Sequence, residues 1–142
     1  MAQSIDLQNL RIKQFTLEDG LSQVSTNDLI RDHNGIVWIA TQDGLNRFDG
    51  SEFINYKYSE SDSTSISGNL INKLHEDQQG QIWIGTIGNG VSCYDSKRDI
   101  FHRVLLRHSS SSNEIITSIE EADNGTIWVA SRLSGLHKLM PA

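Results

Sequence analysis

The chain has 142 residues, enough for one ordinary domain with a buried core. A hydrophobic fraction of 37%, with 11 glycines and a single proline, fits short extended elements joined by frequent turns. The net charge of −6 comes from 18 acidic and 12 basic side chains scattered along the chain, which leaves no basic footprint for nucleic acid or an anionic membrane. No segment approaches the roughly 20 apolar residues of a membrane helix, so no membrane insertion by this chain is expected.

In chain order, Met1 to Gln8 (MAQSIDLQ) has neither the basic start nor the apolar centre of a secretory leader. Next, LRIKQFTL, residues 10–17, sets Leu10, Ile12 and Gln14 against Arg11 and Lys13 and ends in Phe15, the pattern of an edge strand. Four strands are then predicted near Val24 to Asp32, Ile36 to Thr41, Gly44 to Asp49 and Glu52 to Tyr58. Asn34-Gly35 lies between the first two, and Asn-Gly suits a two-residue turn with positive φ at both positions. Asp43-Gly44 and Asp49-Gly50 punctuate the remaining connections.

The same unit recurs. Trp38, Trp83 and Trp128 stand at a constant interval of 45 residues, and so do Gly35, Gly80 and Gly125; Leu29, Leu74 and Ile119; and Ser22, Ser67 and Ser112. Gln79-Gly80 and Asn124-Gly125 repeat the first turn, and copies two and three carry one extra residue before Gly90 and Gly135. In the second strand of each copy the residues around Trp are apolar at consecutive positions, so both faces of the sheet must be covered. Stacking identical four-stranded sheets around an axis does this, and four strands in 40 to 50 residues is the signature of a β-propeller blade. The expected fold is all-β: 1–142 as a single partial propeller, with blades at 22–58, 67–106 and 112–140.

GIVWIATQDGLNRFD, GQIWIGTIGNGVSCYD and GTIWVASRLSGLHKL resemble the two-component regulator propeller repeat, over about Leu17 to Leu139. Ala40 and Ala130 stand where that family prefers Gly, Ser131 for Thr, and Ala122 for the usual Asp, which makes the third copy the most degraded. The resemblance implies an extracytoplasmic, periplasmic sensing region of a bacterial hybrid histidine kinase or diguanylate cyclase, with a carbohydrate or other small molecule as ligand. It implies no enzyme in this chain, whose residues contain neither a kinase domain nor a GGDEF-like string. Some propellers of similar repeat, the streptogramin-lyase type, are metal-dependent lyases; that alternative needs His75, His137 or a neighbouring carboxylate to converge on the channel. A passive protein-interaction scaffold is a further alternative.

The third copy supplies only three strands, and residues 10–17 are the expected closing strand that completes the count to three blades. Three blades leave two apolar faces in water, which predicts a homodimer: a second copy of the chain, related by a twofold axis, closing a six-bladed ring by strand exchange.

In a meander the loops alternate between the two ends of the sheet, so the second-to-third-strand loops share one face with the connections between blades. That face is the expected ligand or partner surface. It carries Gln42, Asp43, Ile87, Gly88, Asn89, Arg132, Leu133 and Ser134, beside SESDSTSIS (59–67) and HSSSSNE (108–114).

The remaining candidates have structural explanations. The three tryptophans suit blade packing better than sugar stacking. His33, His75, His102, His108 and His137 lack metal-ligand spacing, so no metal or cofactor is expected. Asp32-His33-Asn34-Gly35 resembles the start of a calcium loop but lacks the downstream Glu. Glu114 and Glu120-Glu121 offer carboxylates without a catalytic partner, and no catalytic residue is assigned. Asn124-Gly125-Thr126 is read as turn chemistry, and the lone Cys93 as a small buried strand residue.

Overall fold

The computed structural model describes residues 2–106 and 113–140. A 3-10 turn at Leu17–Asp19 precedes eleven strands among those residues: β1 (Thr26–Arg31), β2 (Val37–Thr41), β3 (Gly44–Phe48), β4 (Phe53–Tyr56), β5 (Ile71–Glu76), β6 (Ile82–Thr86), β7 (Val91–Asp95), β8 (Ile100–Val104), β9 (Ile116–Glu121), β10 (Ile127–Ser131) and β11 (Leu136–Leu139). They form three antiparallel meanders in the orders β1-β2-β3-β4, β5-β6-β7-β8 and β9-β10-β11. We call these sheets blades 1, 2 and 3.

The second strands show why the chain must stack. Trp38 and Ala40 on one face of β2 are buried against blade 2, while Ile39 on the other face is only 9% exposed. Trp38, Ala40 and Leu45 of blade 1 meet Ile71, Leu74, Ile82, Ile84, Tyr94 and Phe101 of blade 2, with Ile66 of the connecting segment fully buried between them. A second cluster joins Val91, Trp83 and Val104 of blade 2 to Ile116, Ile119, Ile127 and Val129 of blade 3. Close approach at this junction depends on Gly85, where a Cβ would lie 2.5 Å from Ile116 Cγ2. Trp38 is 2% exposed, whereas Trp83, packed against blade 3, and Trp128, with no blade over it among the described residues, are both half-buried.

Hydrogen bonds repeat from one junction to the next. Asn27 Nδ2 donates to the Ile71 carbonyl and Asn72 Nδ2 to the Ile116 carbonyl, both at 2.8 Å. The His33 amide donates to Glu76 Oε1 (3.1 Å) and the Gln78 amide to Glu121 Oε2 (2.7 Å). The Gly44 amide donates to Asn69 O (2.7 Å) and the Gly88 amide to Glu114 O (2.6 Å).

One expectation needs correction. Asn34, Gln79 and Asn124 do not have positive φ; only Gly35 (84°), Gly80 (79°) and Gly125 (83°) do. The Gly35 amide bonds Asp32 O and the Asp32 amide bonds Ile36 O, so the loop is a type I turn followed by a glycine bulge. The cause is Asp32, whose Oδ1 accepts the Asn34 and Ile36 amides at 2.9 and 3.0 Å and holds the turn residues in the ordinary right-handed region. Asp77 does the same for Gln79 and Gln81.

The closing strand expected at residues 10–17 is in no ladder, and Leu17 belongs to the 3-10 turn. A strand exists only when paired, and no edge in this chain is paired with the segment. Its end is nevertheless anchored: Phe15 packs on Phe48 (5.1 Å) and Phe53 (5.7 Å), and Leu21 is buried. Leu10 and Ile12 are exposed, as is Leu136 on β11, a strand whose outer edge carries no partner among the described residues.

Candidate functional site

The face predicted from the meander rule is built by the β2–β3, β6–β7 and β10–β11 loops. In each, a hydroxyl at the end of the second strand fixes the loop, buried in the first two and half-buried in the third. Thr41 Oγ1 donates to Gly44 O (2.8 Å) and accepts the Asp43 amide (3.0 Å). Thr86 Oγ1 donates to Gly90 O (2.8 Å) and accepts the Asn89 amide (3.0 Å). Ser131 Oγ donates to Gly135 O at 2.9 Å. The bonds from Gly44 and Gly88 to Asn69 and Glu114 tie these loops to the connections between blades, so loops and connections share one face.

On that scaffold the predicted residues diverge in chemistry. Gln42 is exposed, and Asp43 pairs with Lys57 at 2.8 Å. Asn89 is exposed, and its side chain lies over Gly68, whose missing Cβ leaves the room. Arg132 is exposed, and Ser134 Oγ sits 2.8 Å from both Ser131 Oγ and His137 Nε2. The third loop is seated on Glu114, 2% exposed, whose Oε1 accepts the Leu133 amide at 2.8 Å. Burial pulls the Glu114 carboxyl upward, but the donors of Leu133 and Ser134 outweigh it and hold the group below its ordinary range. The residues stand on three successive blades and do not converge on one point; Asn89 lines a shallow cleft of about 240 Å³ with Gly88 and Leu106, and Gln42, Asp43, Arg132 and Ser134 are not part of its lining. Residues 108–112 of the expected serine-rich segment, with His108, lie outside the described residues.

The opposite face, made by the β1–β2 and β3–β4 turns, holds two clefts that sequence reasoning missed. One, of about 220 Å³, lies between blades 1 and 2 and is lined by Asp32, His33, Trp38, Arg47 and Tyr94. The other, of about 320 Å³, lies between blades 2 and 3 beside Asp77, Gln81, Trp83 and Glu121. They are repeats of one another: Asp32 Oδ2 accepts Trp38 Nε1 (2.8 Å) and Asp77 Oδ2 accepts Trp83 Nε1 (2.9 Å). In blade 3 Ala122 replaces this Asp, and Asn124 Oδ1 takes over only the turn bond to the Thr126 amide. The 45-residue column Asp32, Asp77, Ala122 was the signal available for these clefts.

Beside the first cleft, Arg47 lies over the Trp38 ring at 5.8 Å, and Tyr56 and Tyr94 both donate to Asp99 Oδ1 (2.9 and 2.7 Å). Burial, above all, raises the pKa of both tyrosines and keeps them donors. Cys93 is buried, and burial followed by the charges of Asp77 and Asp95 pushes its thiol up to about 12. Among the described residues no three of His, Cys, Asp and Glu gather as a metal-ligand group. His75 stands on β5 and His137 on β11, in different blades.

Residues 20–43 and 65–88 match the family model for the two-component regulator propeller, which covers the first strands and hairpins of blades 1 and 2. Those two segments are two-component regulator propeller repeats. Over 59 residues the chain is 51% identical to Histidine kinase P4 of Formosa agariphila, a match that takes in 42% of this chain and 4% of that protein. Its fold matches the extracellular domain of a hybrid two-component system, BT3049, from B. thetaiotaomicron, with a TM-score of 0.76 and 30% identity, covering 89% of this chain and 18% of that one. The extracellular domain of BT4673 from the same organism matches in fold, with a TM-score of 0.68 at 24% identity, over 89% of this chain and 16% of that one. The repeat chain therefore spans a small part of the length of each relative, and its structural neighbours are extracellular domains.

Proposed function

We propose that the chain is an extracytoplasmic, periplasmic sensing module of a bacterial signal-transduction protein, binding a carbohydrate or other small ligand on its loop face. The observation that supports this best is the match over 89% of the chain to the extracellular domain of a hybrid two-component system, at 30% identity. The chemistry of the loops agrees: rigid hydroxyl-braced frames present an exposed amide at Gln42, a second at Asn89 and a guanidinium at Arg132, groups that hydrogen-bond sugar hydroxyls or carboxylates. The module has no catalytic role in this reading; any kinase or cyclase belongs to a longer parent. The lyase reading has no observation in its favour: among the described residues no three of His, Cys, Asp and Glu gather as a metal-ligand group.

The test is a thermal-shift screen of the chain against oligosaccharides, sugar acids and divalent cations. A ligand that binds only the folded state adds about 2.7 kcal/mol at one hundred times its Kd, a rise of several degrees. Arg132→Ala and Asn89→Ala abolish the shift if the loop face is the site. A shift with sugars that survives both substitutions moves the site to the clefts on the opposite face. No shift with any compound overturns the sensing reading in favour of a protein-interaction scaffold.

A further inference from the structure

The two clefts on the face opposite the loops repeat one another in shape but not in charge. In the first, between blades 1 and 2, the chain supplies two basic groups of its own. Arg47 opposes Trp38 across β2 and β3 and lays its guanidinium over the indole at 5.8 Å, and His33 Nδ1 pairs with Glu76 Oε1. Blade 3 repeats the cation on the indole: Lys138 opposes Trp128, and its ammonium lies over that ring at 5.4 Å. The negative face of an aromatic ring attracts a cation placed over it, and tryptophan does so best.

Blade 2 lacks a basic group at both positions. The residue opposite Trp83 is Cys93, whose side chain ends at a sulfur and, with burial pushing its thiol up to about 12, carries no charge at neutral pH. Gln78 stands 45 residues after His33. The carboxylates are kept, since Asp77 follows Asp32 and Glu121 follows Glu76 by the same interval, and both line the second cleft. Neither has an ion-pair partner among the described residues. Trp83, which also lines the cleft, is equally alone. Trp38 has Tyr56 and Tyr94 beside it as well as Arg47, whereas no aromatic ring or cation packs on Trp83 among the described residues.

The cleft without the resident cation is the larger, about 320 Å³ against about 220 Å³. Its acidic groups are held in place: Asp77 Oδ2 accepts the Trp83 indole N–H at 2.9 Å, and Glu121 Oε2 accepts the Gln78 amide at 2.7 Å. The cleft does not depend on how blade 3 continues. No residue of β8, the fourth strand of blade 2, lines the first cleft, so a fourth strand on blade 3 would leave the second one open as well.

We propose that the cleft between blades 2 and 3 binds an organic cation, a guanidinium or alkylammonium head, which lies on Trp83 as Arg47 lies on Trp38 and is met by the carboxylates of Glu121 and Asp77. The ligand takes the place of a side chain that the other two blades carry themselves. The same head group belongs to a free amine or guanidine and to the lysine or arginine side chain of a peptide. This site is independent of what the loop face binds.

Ethylguanidinium titrated into isotope-labelled protein tests it, read by NMR on the N–H signals of the three indoles. The Trp83 signal shifts saturably, because its N–H bonds the Asp77 carboxylate that the cation meets, while those of Trp38 and Trp128 stay. N-ethylurea, of the same shape but uncharged, moves none of them. Glu121→Gln, which keeps an acceptor for the Gln78 amide, weakens binding about fivefold. Cys93→Arg restores a resident cation and abolishes binding, and Arg47→Ala, checked for native circular dichroism, gives the Trp38 signal a saturable shift of its own. Butylammonium and the tripeptide Gly-Arg-Gly separate the sources of the head group: tighter binding of the tripeptide than of the free cations assigns the site to a peptide side chain, and equal binding to a small cation. No saturable shift with any of these cations, equal shifts of all three indoles, equal binding of N-ethylurea, or unchanged affinity in Glu121→Gln overturns the proposal.

Discussion

Replacing Asp32 by Ala removes three hydrogen bonds at once. The carboxylate is 7% exposed; Oδ1 accepts the Asn34 and Ile36 amides and Oδ2 accepts the indole of Trp38, itself 2% exposed. Without Asp32 the Trp38 N–H is left buried and unpaired, which costs about 1–3 kcal/mol, while the two turn amides can turn to water and lose roughly 0.5 kcal/mol each. The sum, about 2–4 kcal/mol, is a large fraction of the roughly 5–15 kcal/mol of a native domain. At about 3 °C per kcal/mol for a chain of this size, the midpoint falls by about 6–12 °C. Asp32→Asn keeps an acceptor for the turn but sets an amide donor against the indole N–H, so it recovers only the turn part of the loss. Ala122→Asp supplies the missing acceptor in blade 3, where Trp128 is half-buried, and raises stability by about 0.5–1 kcal/mol. Thermal melts followed by tryptophan fluorescence and near-UV circular dichroism measure all three. An Asp32→Ala midpoint within 2 °C of wild type, roughly the loss of one turn bond, would refute the claim that the Asp–Trp bond anchors the blade.

Three further outcomes follow from other parts of the frame. Gly85→Ala drives a methyl into Ile116, which is fully buried, and costs about 1–3 kcal/mol in urea denaturation, whereas Ala130→Gly on the uncovered face of blade 3 costs under about 1 kcal/mol; equal effects would place the close approach elsewhere. Because the Glu114 pKa is lowered in the fold, its stabilising contribution is complete above the ordinary carboxyl value near 4.3 and is lost as pH falls through the lower native value. Glu114→Gln therefore flattens the acid limb of the stability–pH curve, and an unaltered limb would contradict the assignment. Cys93, with its thiol pushed up to about 12, stays unlabelled by Ellman's reagent at pH 8 in the folded protein and reacts once urea is added; rapid labelling in the native state would mean that blade 2 opens.

The strand count and the meander order were legible because a 45-residue recurrence leaves few other readings for Ile-Val-Trp-Ile, Ile-Trp-Ile and Ile-Trp-Val. The hairpins were legible in position and not in type. Asn34-Gly35 by itself favours a mirror-image turn, but Asp32 two residues earlier gathers the turn amides and leaves positive φ to the glycine alone. Residues 10–17 carry a strand pattern without a strand, since alternation describes a willingness to pair and the pairing edge has to exist. The clefts on the turn face were legible only as the column Asp32, Asp77, Ala122. Arg47, Trp38 and Tyr94 meet only when two blades lie side by side, and nothing local to any one of them signals the others.

A repeat chain also contains its own comparison. Where packing sets the residue, the copies agree: Trp at the centre of the second strand, Gly at the bulge, a hydroxyl that braces the loop. Where packing is silent they diverge, as the loops of the predicted face do. Gln42-Asp43 in the first loop becomes Ile87-Gly88-Asn89 in the second and Arg132-Leu133-Ser134 in the third, on frames held by the same hydrogen bonds. A scaffold that needed only to be soluble could have repeated one polar loop three times. Three chemically different loops in equivalent places present an amide, an apolar step and a guanidinium in a fixed order. The order is direction-dependent: on the proposed sensing reading, exchanging the exposed Gln42 and Arg132 as Gln42→Arg/Arg132→Gln leaves stability within about 0.5 kcal/mol, as expected of surface substitutions, and abolishes recognition of an asymmetric ligand. Retained binding after that exchange would show that the loops are spacers and that the clefts beneath Trp38 and Trp83 carry the recognition.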